Sequence, residues 1–459
     1  MNWKSCTLAA VSASILVALP ALAQSNGYEV WLTDQNNTAG FTAQAPRGTH
    51  GGRIVIWNSE DLENPTGPVL DKPEVIDLAS FYAVGTANNA TGANVSRPHM
   101  AYPSPDGRYM AVAFVASGHV AIIDAETRRS KALFRMSAGA GGARQAHAAT
   151  WTADGRAVIV ANQNGKLLER IIYDAVRDEF THDTAATIDL AKCRTPNGFP
   201  CETATPVNAS DPAYFGPHNR PDNAPICPIT TFQNRSVITL RGGGMFVVDP
   251  TTTPMSIVAE YGNQLYGRDG CGGVQVGNKV YMNGGAGTTT TNHSEFMLYT
   301  LEDNFPNGPS FLPANDARIR PIFRDGNAAD HRDAHGMTAT GNGYYIWAFD
   351  RLANLVEVYR SFDFKYIRAI HLAGPLSDDP TPDIVALSPH GNRVYMALRG
   401  PQPQTGAHAS AGTTPGLGIM SVTHGGAFGE MTHVYQTRFR NPVNGSEESD
   451  PHGIAVRVR

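Results

Sequence analysis

Short apolar runs of five or six residues recur along the whole chain, separated by Asp-Gly, Asn-Gly and other tight polar turns. They lack the 3.6-residue period of an amphipathic helix and read as β-strands. Seven runs begin at a chemically distinctive residue: His99, His147, Cys227, Cys271, His335, Asp383 and His452. In the first six, the seventh residue onward is a turn residue (Asp106, Asp154, Asn234, Asn278, Asn342 or His390), and another strand-like run follows. The unit at His99 reads His-Met-Ala-Tyr-Pro-Ser-Pro-Asp-Gly, then Tyr109 to Phe114, then His119 to Asp124. The unit at His335 reads His-Gly-Met-Thr-Ala-Thr-Gly-Asn-Gly, then Tyr344 to Phe349, then Leu355 to Tyr359. Each unit therefore predicts an antiparallel meander of three strands.

Head-to-head intervals of 48, 80, 44, 64, 48 and 69 residues fit propeller blades with insertions. His452 opens Pro-His-Gly-Ile-Ala-Val-Arg-Val-Arg, after which no further turn or strand follows in the sequence. The continuation is expected at the other end, with Tyr28 to Thr33 as middle strand and Arg53 to Trp57 as third strand. One blade assembled from both ends closes the ring and removes its open edge. The expected fold is an all-β, seven-bladed β-propeller, one domain over residues 24–459.

Residues 1–23 carry Lys4, an apolar run from Leu8 to Leu22, and an Ala21-Leu22-Ala23 exit before Gln24. That pattern predicts a secretory signal peptide and a periplasmic or secreted protein with no membrane span. The composition, 41% hydrophobic with 46 Gly and 31 Pro, suits a turn-rich folded chain. A net charge of −5 with interspersed signs gives no basic stripe for nucleic acid. Small molecules or a protein partner are the expected ligands. Beyond Cys6 in the leader, four cysteines remain, and three pairings are possible; Cys193 with Cys201 and Cys227 with Cys271 is the favoured one.

The Pro-His-Gly-Ile-Ala and Ser-Pro-Asp-Gly-Arg-Tyr phrases resemble the bacterial seven-bladed propellers of the YVTN and lactonase-like type, over nearly all of the mature chain. That architecture hosts binding proteins, hydrolases, lyases and redox enzymes, so function has to come from the site. In a propeller the strand heads converge on one mouth of the central channel. Here they bring four imidazoles, a carboxylate and two sulfurs together; with 15 histidines in 459 residues, fewer than one would fall at seven positions by chance. His99, His147, His335, His452 and Asp383 are accordingly candidate ligands for a copper or zinc ion. The hub resembles the propeller domains of nitrous oxide reductase and thiocyanate dehydrogenase, and the periplasmic zinc metallochaperones. The chain departs from them in lacking a cupredoxin-like domain, a lysine at a strand head and a His-rich tail after Ala23.

Three functions follow as expectations: a metal-dependent enzyme, with copper oxidoreductase chemistry ahead of hydrolysis, acting on a small-molecule or inorganic substrate; a carrier handing its ion to a metal-transfer partner; and a metal-free lactonase-like hydrolase or ligand-binding propeller. Asp330, His331, Arg332 and Asp333 could orient imidazoles, although a solvated loop is the simpler expectation. Asp450 and Asp269 are expected to rim the same mouth. His50 and His218 read as surface loop residues, and His119 and His390 as lying away from the hub. Gly242 to Gly244 and Gly284 to Gly287 read as turns, with no phosphate-loop lysine. No Gly-x-Ser-x-Gly elbow is present.

Overall fold

The computed structural model describes residues 27–459 except 37, 39–50, 64, 66–72, 82–90, 206–207, 209, 212–214, 268–269, 285–295, 306–317, 326–331, 404–410 and 442–443. The expected leader, His50, Asp269, residues 285–287, Asp330 and His331 lie outside the described residues. No helix among those described is long and apolar enough to cross a membrane.

Seven antiparallel sheets form the blades of a propeller. Blade 1 runs Pro451–Val458, Tyr28–Asp34, Arg53–Asn58 and Glu74–Asp77 from channel to rim. The inner strands of blades 2 to 7 are Pro98–Pro103, Ala146–Trp151, Pro225–Thr230, Gly273–Val276, Ala334–Thr340 and Pro382–Leu387. Closure is by Tyr28 paired with Val458 and Asp34 with Pro451, so the two ends of the chain share one sheet. Six blades have four strands rather than the three expected, and blade 3 adds a short fifth, Ile188–Asp189. The outermost strands, such as Ser130–Arg135 and Tyr366–His371, are partly exposed and lack a continuous apolar run, which hides them among turns in the sequence.

Middle strands are buried on both faces because blades stack on one another. Tyr109–Phe114 and Ala157–Asn162 are wholly buried. Between blades 1 and 2, Trp31, Ile54 and Ile56 pack with Met110, Val112 and Phe114. Burial of this kind, about 25 cal/mol per Å² of apolar surface, holds the ring together.

The hub residues are placed by a repeated irregularity. In six blades the ladder between inner and middle strands slips at the head, at His99, His147, Cys227, His335, Asp383 and His452. A bulge of this kind turns its side chain out of the regular alternation, here toward the channel mouth. Glycine follows the head in three blades, and a Cβ at Gly453, Gly336 or Gly272 would collide with the backbone oxygen of His99, Asp383 or His335 in the next blade. The Pro-His-Gly phrase is thus a packing requirement between blades. At two of these junctions a middle-strand side chain ties one blade head to the next: Thr33 Oγ1 accepts from Gly453 N (2.9 Å) and donates to His99 O (2.8 Å). Asn283 likewise accepts from Gly272 N (2.9 Å) and donates to His335 O (2.6 Å).

Candidate metal centre at the channel mouth

The four head imidazoles form a continuous arc. His147 Nε2 lies 3.3 Å from His99 Nε2, the His99 ring stacks on His452 with centroids 3.5 Å apart, and His452 meets His335 edge-on at 5.6 Å. Asp383 completes the arc, with Oδ1 3.0 Å from His335 Nε2 and Oδ2 3.5 Å from His452 Nε2. One ligand atom each from His335, Asp383 and His452 falls within 4.8 Å of the others. His99, His335, His452 and Asp383 are all buried.

Hydrogen bonding divides this arc. Gln35 Nε2 donates to His99 Nδ1 at 2.8 Å, which assigns the proton of the neutral imidazole to Nε2, facing His147. His147 in turn is bonded to the Ile226 backbone, and its Nδ1 lies 3.8 Å from Cys227 Sγ. These two rings satisfy each other. By contrast, both nitrogens of His335 and Nδ1 of His452 are buried without a hydrogen-bond partner. Orphaned buried nitrogens beside a carboxylate call for a further ligand.

Two buried arginines absent from the sequence expectations hold the carboxylate. Arg399 Nη1 donates to Asp383 Oδ2 at 2.7 Å, and Arg351 Nη1 to Oδ1 at 3.1 Å. Asp333 anchors Arg351 Nε (2.6 Å), while Asp450 holds Arg399 through two bonds of 2.7 and 2.9 Å. Each arginine immediately follows the last residue of a middle strand, Asp350 or Leu398, and that shared position was the available signal. Asp333 and Asp450 therefore act through guanidinium groups and do not touch the imidazoles. Asp450, expected at the rim of the mouth, is buried behind Arg399. Arg332 leaves the hub to pair with Asp350 and Glu357.

Burial opposes charge on Asp383, but the neighbouring His452 and His335 favour the carboxylate when protonated, and the permanently charged Arg351 and Arg399 guanidinium groups favour it throughout, so the carboxyl is held well below the usual range. Burial keeps His99 and His452 neutral, far below the ordinary imidazole value, and brings His147 down to about 3. The centre thus offers an ionised carboxylate at Asp383 beside the neutral imidazole of His452, protonation states that a cation requires.

The structure bonds Cys227 to Cys271 across blades 4 and 5, and Cys193 to Cys201 within a loop. The hub sulfurs lie beside His147 on the far side from Asp383. His119 is buried in blade 2, and His390 is exposed at its turn. His218 is not a surface residue: it is buried, stacked on Phe199 with centroids 3.7 Å apart, and 3.8 Å from Glu260.

No family model matches the chain, and no curated protein matches it by sequence. Solved structures do match in shape. A hypothetical selenium-binding protein from Sulfolobus tokodaii superposes with a TM-score of 0.59 at 11% identity, covering 94% of each chain. Two Bacteroides proteins provisionally assigned as 6-phosphogluconolactonases also match. The one from B. uniformis has a TM-score of 0.54 at 13% identity, covering 94% of this chain and 99% of that one. The one from B. fragilis gives 0.52 at 12%, covering 95% and 99%. At such identities the likeness concerns the fold, and on that ground the chain takes its place among seven-bladed β-propellers.

Proposed function

We propose that this is an exported, metal-dependent propeller enzyme whose ion is held by His335, His452 and Asp383, with the leader ending near Ala23. The observation that carries the reading is the set of orphaned nitrogens on His335 and His452 beside an ionised carboxylate. Two imidazoles and one carboxylate leave coordination positions open, the pattern of a catalytic site, whereas a carrier favours a closed set of four. Copper or zinc suits these donors. Bound there, the metal would supply Lewis acidity or, as copper, one-electron chemistry toward a small substrate. Asp383 supplies the charge, Arg351 and Arg399 fix the plane of its carboxylate, and the stacked His99 ring limits how far His452 can turn. His99 and His147 form the neighbouring wall of the site.

Metal analysis after copper or zinc loading tests this: about one equivalent is expected in the wild type, and less than about a tenth in a His335→Ala/His452→Ala variant. Equal content in both would refute it. The 3.0 Å contact between His335 Nε2 and Asp383 favours a second reading, a metal-free His-Asp general base acting on an ester or lactone. Hydrolysis that survives complete chelation would select it.

A further inference from the structure

The Cys227–Cys271 disulfide sits at the hub rather than at the periphery, and two features distinguish it from a simple staple. The first is its neighbour. One ligand atom each from His147, Cys227 and Cys271 lies within 4.8 Å of the others, with His147 Nδ1 3.8 Å from Cys227 Sγ. A tetrahedral ion bound by one imidazole and one thiolate separates nitrogen and sulfur by about 3.6 Å, given bonds of about 2.0 and 2.3 Å. The ring thus lies at about the distance such a metal sets, and an ion bound by the reduced sulfurs would take it over from its bond to the Ile226 backbone.

The second feature is access. Cys271 lines a cavity of about 410 Å³ in the channel, walled by Tyr102, Trp151, Ile229 and Phe232. Phe232 is exposed, so the cavity opens toward solvent. The cavity is the route by which a small thiol reagent would approach Cys271, itself a buried residue. The Cys193–Cys201 bond is the more exposed of the two at its Cys193 end, and what sets the hub bond apart is the imidazole beside it.

We propose that the Cys227–Cys271 bond is reducible in the folded protein and that its reduction creates a second metal site, formed by both thiolates and His147. The reductant is a dithiol. It delivers two electrons and two protons, closing to its own disulfide as Cys227 and Cys271 become thiols; binding of a divalent ion then releases those two protons. Two thiolates and one imidazole suit zinc or another thiophilic ion and leave one position open. The site is separate from the His335/His452/Asp383 centre and stands whether or not that centre binds metal.

Cobalt(II) alone is the probe, because thiolate ligation gives a sulfur-to-cobalt charge-transfer band in the near ultraviolet. The native chain is treated anaerobically with a dithiol, freed of it and titrated. Differential alkylation should show Cys227 and Cys271 reduced while far-ultraviolet circular dichroism is unchanged. One equivalent of cobalt should then produce the band, and reoxidation should abolish it. His147→Ala should weaken binding about tenfold or more, with His119→Gln, outside the hub, leaving it unchanged. A bond that resists the dithiol short of unfolding, or cobalt uptake without the band, overturns the proposal. Reversal by reoxidation in the wild-type chain keeps the test valid even if His147→Ala fails to fold.

Discussion

His99 and His335 occupy the same bulged position at the heads of blades 2 and 6, yet they end in opposite chemical states. His99 receives the Gln35 amide on one nitrogen and faces His147 with the other. His335 has no hydrogen-bond partner on either nitrogen, although Asp383 stands 3.0 Å from one of them. The fold repeats the position, and the neighbouring blade decides its chemistry. Next to His335 is a blade headed by a carboxylate locked by two arginines. Next to His99 are two more imidazoles, with which it can only stack or share a proton. A ring of like residues therefore contains a satisfied pair and an unsatisfied triad, and only the triad is short of a ligand.

The largest test of this contrast is to unlock the carboxylate. Arg399→Met removes the guanidinium that bonds both Asp383 and Asp450, leaving two carboxylates buried without their main partner. The expected cost is about 3–5 kcal/mol in denaturant unfolding. The pH response should identify the cause. Carboxylates stripped of a cation titrate higher than before, so the variant should recover stability as pH falls toward about 5 more steeply than the wild type, in which burial already raises Asp450. A loss that is independent of pH would point to packing instead.

Removing single imidazoles sharpens the comparison. His335→Ala should weaken copper or zinc binding by about 100-fold, roughly 2.7 kcal/mol. His147→Ala, which removes a ring already satisfied by His99 and the Ile226 backbone, should change affinity at the triad by no more than about threefold. Competition with a metallochromic chelator measures both. Equal losses would mean that the ring binds as one unit and that the division drawn from hydrogen bonding is wrong.

The repeat, its closure through the chain ends and the seven head residues were legible in the sequence because spacing along the chain reports directly on a repeated strand. What gives each head its role was not. Arg351 and Arg399 lie on neighbouring middle strands and look like ordinary turn residues until the ring places Asp383 between them. The bulges leave no compositional mark. Thr33 and Asn283 resemble any polar residue in a strand, although each bridges two blades. Long-range partnership, rather than residue type, carries this information, and one chain read alone shows it poorly.

Thr33→Val tests such a bridge at nearly constant volume. It strands the Gly453 amide and the His99 carbonyl, both buried, for an expected loss of about 2 kcal/mol in unfolding free energy. Because the bond positions the head of blade 2, the variant should also perturb the His99 and His452 imidazole resonances in NMR while leaving His335 nearly unmoved. Uniform shifts across all four rings would mean that the blades do not set their heads pairwise.

The smallest expected effect comes from a control outside the hub. His119 is a buried imidazole with both nitrogens bonded: Nε2 to Thr91 Oγ1 at 2.7 Å and Nδ1 to Ser117 Oγ at 2.9 Å. Thr91 Oγ1 already donates to Ala93 O and Ser117 Oγ already accepts from Ser96 N, so Nε2 carries the proton and Nδ1 accepts. Burial, helped by Arg135 and Arg144, brings its pKa down to about 3. The folded chain therefore stays unprotonated there while the unfolded chain takes up a proton below about pH 6.5, and stability falls with pH from about 6.5 toward 3. Between pH 7 and 5.5 this one residue should contribute a loss of about 1 kcal/mol. His119→Gln, which keeps an amide donor and acceptor, should remove that share of the slope with little change at pH 7. If the slope is unchanged, a fully hydrogen-bonded imidazole in this fold does not resist protonation, and the neutrality assigned to the satisfied His99–His147 pair loses its support.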